Sequence, residues 1–375
     1  MPVRETPLAG LHGPAGARMV EFAGWRLPLH FSSVAEEAQA CRRAAALFDV
    51  SHMGMIRLFG FGARQAARML LTRDVPAIPS NCSAYALLCN ESGGVLDDLI
   101  AMVESEEAVR LVVNAANYDK DLAWIGAHIP EDCDAGIEDF GGRTFGLALQ
   151  GPRAEAILKD AGLHGRLPIV FAAFFHSRLG DADLLASRTG YTGEDGFELF
   201  GAAVDGPAVW RALMRAGQDS GLLPAGLAAR DALRQEAGYP LWGQDLDEET
   251  TPLEAGLRWA VDWSGDFIGR TALEGRAPTR RRIGFRVEEM GIARRGAPIF
   301  AGGSRVGTVT SGTYSHNLQT AIGQGYVDAD AELPPTSEIE IEARGKRLRC
   351  RVAKLPLVPK RTRGSWLDRK RRREQ

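Results

Sequence analysis

Apolar and polar residues follow one another along this chain with two different periods, and each change of period marks an element. Over residues 34–47 apolar positions, many of them alanine, recur at helical spacing and predict a helix. Residues 63–71, 119–127, 208–216 and 225–237 show the same spacing. Pro152 opens a further helix running to residue 160, at a position where a missing N–H leaves no bond unmade. Between these lie short apolar runs at 55–58, 85–89, 99–103, 109–113 and 145–149, which predict strands. The turn residues at 90–94 separate two such runs and predict a hairpin. Strands and helices interleave without a regular strand–helix–strand rhythm. The pattern therefore predicts an antiparallel α+β fold and not a doubly wound parallel sheet.

After Gly269 the pattern changes. Residues 272–282 are polar and basic and read as a linker. Short β-rich runs at 283–285, 298–300, 306–309, 339–341 and 348–352 then recur between glycines and prolines, which predicts a small all-β barrel or sandwich. Residues 360–375 are strongly basic and contain Arg369-Lys370-Arg371-Arg372-Arg373. Such a run reads first as a disordered, solvated tail and second as a contact for nucleic acid or an acidic partner.

Composition narrows the function classes. A chain of 375 residues exceeds one ordinary core and predicts two or three domains. A formal net charge of −3 argues against a whole-protein surface for nucleic acid or membrane. No apolar run approaches the ~20 residues of a membrane helix. Residues 1–6 carry no apolar signal-peptide core, so a cytoplasmic location is expected. Cys41, Cys82, Cys89, Cys133 and Cys350 are scattered, with no C-x-x-C pair, and read as reduced thiols. The histidines form no ligand-spaced cluster, so no metal is expected. Neither the P-loop nor the dinucleotide glycine motif is present.

Candidate chemistry concentrates in a few segments. The stretch from Ser187 to Glu198 holds three glycines, three carboxylates, Tyr191, Phe197 and Arg188. Glycines admit close approach, the carboxylates accept from N–H donors, and tyrosine offers a flat face with a polar tip. The set suits a flat, nitrogen-rich heterocycle; it equally describes a hairpin with a solvated acidic tip. Asp97 and Asp98 sit at a turn-to-strand junction, where neighbours point to opposite faces. One of them can face an interior while the other meets solvent or caps the turn. Asn114 follows a predicted strand and either binds a heterocycle edge or closes a turn. Arg230 and Arg234 share a helix face, Arg234 three residues from Asp231, which fits a carboxylate fork or an exposed ion pair. Trp259 beside a Gly-containing turn reads by default as core.

Taken in order, these segments resemble the aminomethyltransferases of the glycine cleavage system, the T-protein family. The resemblance runs from about Thr6 to Pro359. It rests on Thr6-Pro7-Leu8, Phe22-Ala23-Gly24-Trp25, residues 47–54, 93–99, Val113-Asn114-Ala115, Leu149-Gln150-Gly151-Pro152, residues 189–198, 226–238 and 254–259, Asp266-Phe267-Ile268-Gly269, and Val309-Thr310-Ser311-Gly312-Thr313. The resemblance implies an α+β fold of two α/β layers around a central folate channel, closed by a small C-terminal β-barrel. The implied division is a folate-binding region over 1–270, in which 1–50 joins 140–270 and 51–139 forms a second subdomain. A barrel over 280–360 and a tail over 361–375 follow.

The implied substrates are tetrahydrofolate and an aminomethyl group on the lipoyl arm of H-protein, with no metal. The products are 5,10-methylenetetrahydrofolate, ammonia and the dihydrolipoyl arm. Carried over residue by residue, the family's roles place Met53, Tyr85 and Asn114 at the pterin, and Asp98 at the reacting nitrogens as the catalytic carboxylate. Tyr191 and Glu198 come from the glycine-rich motif, and Arg230 and Trp259 hold the rest of the folate. The sequence departs from the family pattern at Ala38, Ala46, Gln235, Trp242 and His316, none of them in this set. Two other readings stand beside this one: a folate-dependent demethylase with another methyl donor, and a folate-binding accessory protein without turnover.

Overall fold

The computed structural model describes residues 2–368; the basic run 369–373 lies outside the described residues. Two large sheets stack face to face, and a closed barrel packs beside them. The first large sheet has five antiparallel strands in the order Cys82–Cys89, Val95–Ser105, Ala108–Val113, Gly54–Phe59, Gly136–Asp139. The second has seven, ordered Leu163–Gly165, Phe174–Leu179, Ala182–Ser187, Gly196–Ala202, Thr144–Gln150, Ala45–Asp49, Leu222–Ala225, with the last pair parallel. A small three-stranded sheet (Arg4–Glu5, Trp25–His30, Arg18–Phe22) precedes them. Six strands between Arg280 and Ala353 close the barrel, whose core holds Ile283, Phe285, Ile299, Val309 and Ile341.

Both faces of the large sheets are covered, and this decides where side chains go. Helix Ala63–Leu70 seals the outer face of the five-stranded sheet over Leu99, Ala101, Val103 and Leu111. Helices Ala154–Asp160 and Gly206–Gly217 seal the outer face of the seven-stranded one. Between the sheets, Met55, Met102 and Val112 of one meet Phe174, Leu185 and Phe200 of the other. Helices Val34–Arg43 and Leu227–Glu236 lie on the same inner side, over Ala46, Phe48 and Ala148.

Residues 34–47 do not form one helix. Ser33 caps the helix by accepting from the Glu36 N–H at 3.2 Å, but the helix ends at Arg43. Residues 45–49 then form a strand between Thr144–Gln150 and Leu222–Ala225. All five are buried, so no polar alternation betrays the strand, and alanine masked the break. The predicted linker begins with a short helix, Arg270–Leu273, and ends inside the first barrel strand, which starts at Arg280. The hairpin across 90–94 forms as expected, with Leu87 opposite Asp98 and Leu88 opposite Asp97.

Residues 361–368 are not a solvated tail. Arg363 pairs with Glu155 and Asp195, and the Arg361 N–H bonds Gly193 O at 2.8 Å. Ser365 bridges to Phe171, and Trp366 Nε1 donates to Ser83 O at 2.8 Å. The segment thus crosses from the seven-stranded sheet to the five-stranded one, where Ser83 and Phe174 already bond across to Ala172 and Asn81.

Candidate active site

A cavity of about 970 Å³ opens between the two sheets, helix Leu227–Glu236 and the barrel. Met53, Tyr85, Asp98, Asn114, Tyr191, Glu198, Arg230 and Trp259 all line it. The strand pleat explains the first group. Tyr85 and Asp98 project from neighbouring strands toward the inner face, while Asp97 projects to the outer face with Leu99 and Ala101. Tyr85 Oη donates to Asp98 Oδ2 at 2.9 Å. Asn114 Nδ2 donates to Asp98 Oδ1 at 3.0 Å, to Asp98 O at 2.9 Å and to Asp97 Oδ1 at 2.8 Å. Burial and the adjacent Asp97 carboxylate raise Asp98 to about 7, against the lowering pull of the Tyr85 and Asn114 hydrogen bonds.

Asp97 neither meets solvent nor caps the turn. It lies under helix Tyr118–His128, fully buried, because the sheet is covered on that face too. Its oxygens accept from the Asn114 N–H at 2.9 Å and from Asn117 Nδ2 at 2.5 Å besides Asn114 Nδ2.

The opposite wall comes from the seven-stranded sheet. Glu198 lies opposite Ala148 and Ser187, and Thr189 Oγ1 donates to its Oε2 at 2.6 Å. Tyr191 stacks on Tyr239 at 5.6 Å, donates to Pro240 O, and carries the Arg230 guanidinium over its ring at 4.8 Å. Arg230 Nη1 is sealed from solvent without a hydrogen-bond partner among the described residues, and burial holds its pKa below the ordinary arginine value, opposed by the Glu198 charge. An unpartnered guanidinium N–H beside a carboxylate-lined cavity suits an anionic or carbonyl oxygen of a ligand. Trp259 is not core: it is 55% exposed at the cavity edge, stacked on Tyr85 at 5.5 Å.

Two family models agree with this architecture. The family model described as GCVT N-terminal domain matches residues 8–265, and the glycine cleavage T-protein C-terminal barrel domain matches 280–359. The chain belongs to the glycine cleavage T-protein family. It is 44% identical to the aminomethyltransferase of Shouchella clausii, over 94% of this chain and 96% of that protein. It is 43% identical to that of Rubrobacter xylanophilus, over 94% of each. The crystal structure of glycine cleavage system aminomethyltransferase T from Bartonella henselae superposes with a TM-score of 0.90 at 36% identity, covering 96% of this chain and 99% of that one. The chain is accordingly an aminomethyltransferase.

Within this T-protein the tip of the glycine-rich motif is structural, and not solvated. Gly193 turns the chain at φ 78°, and the next two carboxylates fold inward. Glu194, 3% exposed, accepts from Arg42 Nη1 at 2.9 Å, and Arg42 Nη2 reaches Glu236 at 2.6 Å. Asp195 takes both Nε and Nη2 of buried Arg188. Arg234, read above as one half of a possible exposed ion pair, is fully buried and joins the helix to Asp245 at 2.6 Å and to Ser311 of the barrel at 2.9 Å. Of the family departures, Trp242 and His316 line the cavity, whereas Ala38, Ala46 and Gln235 are buried.

The cavity also contains residues that sequence reasoning missed. His52, fully buried, is pushed down to about 4 by burial and by Arg230, so it stays neutral. Lys360 sits 4.0 Å over the Tyr239 ring and is lowered to about 8 by burial and by Arg282. Lys360 opens the stretch read as a tail, and His52 lies between the predicted helix 34–47 and the predicted strand 55–58, where a lone basic residue carries no periodic signal.

Proposed function

We propose that the protein transfers the methylene carbon of an aminomethyl group, carried on the lipoyl arm of an H-protein, to tetrahydrofolate. The products are 5,10-methylenetetrahydrofolate, ammonia and the dihydrolipoyl arm. The observation that carries this reading is the convergence of Tyr85, Asp98, Asn114, Tyr191, Glu198, Arg230 and Trp259, from segments far apart in sequence, on one cavity. Family membership and the named relatives support it.

In this reading Glu198 accepts from the donor edge of the pterin, a pairing in which a charged acceptor strengthens each bond. Met53, Tyr85 and Asn114 line the ring. Arg230 and Trp259 hold the remainder of the folate at the cavity edge. Asp98 is the catalytic residue: it orients the folate nitrogen and stabilises positive charge as that nitrogen attacks the methylene carbon. It does not form a covalent bond. Holding both partners in one cavity supplies much of the rate. The residue set requires no metal, and the protein acts in the cytoplasm.

The test is a coupled assay with tetrahydrofolate and lipoylated H-protein carrying the aminomethyl adduct. Ammonia and methylenetetrahydrofolate are expected in equal amounts. If neither forms, the reading fails.

A further inference from the structure

Behind the catalytic carboxylate stands a second acid that no part of the reaction just described uses. Asp121 lies in the first turn of helix Tyr118–His128, fully buried. Both of its oxygens are sealed from solvent, and among the described residues no N–H or O–H donor is aimed at either. An ionised carboxylate there would be an unpaired buried charge next to Asp97, the costliest arrangement a carboxylate can take. A carboxylic acid, by contrast, has one O–H to give.

Asp97 is the acceptor for it. A carboxylate offers about four lone-pair sites. Three are taken by Asn114 N–H, Asn114 Nδ2 and Asn117 Nδ2, at 2.9, 2.8 and 2.5 Å. The fourth faces the Asp121 carboxyl, whose side chain interacts directly with that of Asp97. The pair therefore carries one proton and one negative charge. The proton sits on Asp121, because three N–H groups already demand the anion at Asp97. Burial and the Asp97 charge hold Asp121 well above the ordinary carboxyl range, and Lys120 opposes this only in part. The Asp98 charge pushes in the same direction as Asp97.

The consequence reaches the cavity through Asn114. Its Nδ2 is committed to three acceptor oxygens on Asp97 and Asp98. The amide cannot turn over without setting its own oxygen against all three. That leaves Asn114 Oδ1 for a donor in the cavity and holds Asp98 in one pose.

We propose that Asp121 is a positioning residue for the transfer reaction: as an acid it donates to Asp97, which locks the Asn114 amide that presents Asp98 to the substrate. The proposal rests on the catalytic role assigned to Asp98 above, and its test separates the two.

The full-length protein is compared with Asp121→Ala and Asp121→Asn, with Asp121→Ser in place of alanine if that variant is unfolded by circular dichroism. The first readout is the titration of the Asp98 carboxyl in the free protein, followed by ¹³C NMR of labelled aspartate and assigned with Asp98→Asn. The second is kcat and KM for tetrahydrofolate. In Asp121→Ala the Asp97 anion loses a donor and takes up a proton more readily. The charge pressing on Asp98 weakens, and its titration moves to lower pH. Turnover falls about tenfold, the scale of one charge-assisted hydrogen bond, with KM little changed. Asp121→Asn still offers an N–H and restores most of that turnover. An Asp98 titration and a kcat both unmoved in Asp121→Ala would overturn the proposal. So would an asparagine variant as impaired as alanine. Should Asp98→Asn retain turnover, the catalytic assignment of Asp98 fails by itself, while the NMR titration still decides whether Asp121 acts on Asp98.

Discussion

At the residue scale, the cavity separates two carboxylates by environment. Burial and the Asp97 carboxylate raise Asp98 to about 7. The role proposed for it, stabilising positive charge, requires the anion, which forms above that value. The acid limb of kcat/KM for tetrahydrofolate is therefore expected to rise with pH through about 7. Asp98→Asn should abolish this limb and lower kcat by about 10²–10³-fold, the usual effect of removing one preorganised electrostatic group, with little loss of folate affinity. Near-parental turnover in a steady-state assay would exclude the role. Glu198 is proposed to act in binding instead. Glu198→Ala should weaken folate by about 10–100-fold, the value of a charged hydrogen bond lost, and titration calorimetry giving an unchanged Kd would refute that. The glycine-rich motif stood out in the sequence by its glycines, carboxylates and Tyr191, and the family resemblance singled out Tyr191 and Glu198 within it. Lys360 and His52 were not legible, because single basic residues become cavity residues only through burial.

At the scale of elements, buried ion pairs decide which segments lock together. Arg42 on helix Val34–Arg43 joins Glu194 of the glycine-rich turn to Glu236 at the end of another helix. Among the described residues, removing it leaves buried Glu194 with only Arg361 at 3.7 Å and buried Glu236 with only the Ser315 hydroxyl. Arg42→Ala is expected to cost on the order of 3–5 kcal/mol, seen as a clear drop in the denaturation midpoint; a shift within experimental error would mean that these carboxylates are solvated. Element type was readable wherever the period was clean, as in helix Gly206–Gly217 and hairpin 82–105. It failed at residues 45–49, where a strand buried on both faces carries no alternation. The placing of Asp97 also lay beyond the pattern. The strand pleat gave two opposite faces, but packing of helices Tyr118–His128 and Ala63–Leu70 made the outer one an interior.

For the whole molecule, the segment 361–368 joins the two large sheets behind the cavity, outside the stretches matched by the family models. Deleting residues 362–375 removes the Arg363 pairs, the Ser365 bridge and the Trp366 anchor together. The expected result is faster amide hydrogen exchange at 81–83 and 171–174, where the sheets meet, with a lower thermal midpoint. Unchanged exchange there would show that the seam holds by itself.

The sequence alone determined the helices with clean periodicity, the barrel-forming β-rich end, the hairpin before Asp98 and, through ordered motifs, the family. All of these depend on neighbours within a few positions, or on residue identities that need no neighbours. Only the tertiary structure decided that Arg234 is a buried tie and not an exposed pair, that Trp259 edges the cavity and not the core, and that Asp121 stands behind Asp97. Those outcomes depend on burial and on hydrogen-bond partners brought together by packing, and burial is a property of the whole assembly of layers. The same side chain is a solvated charge on an open face and a positioned acid or base on a covered one.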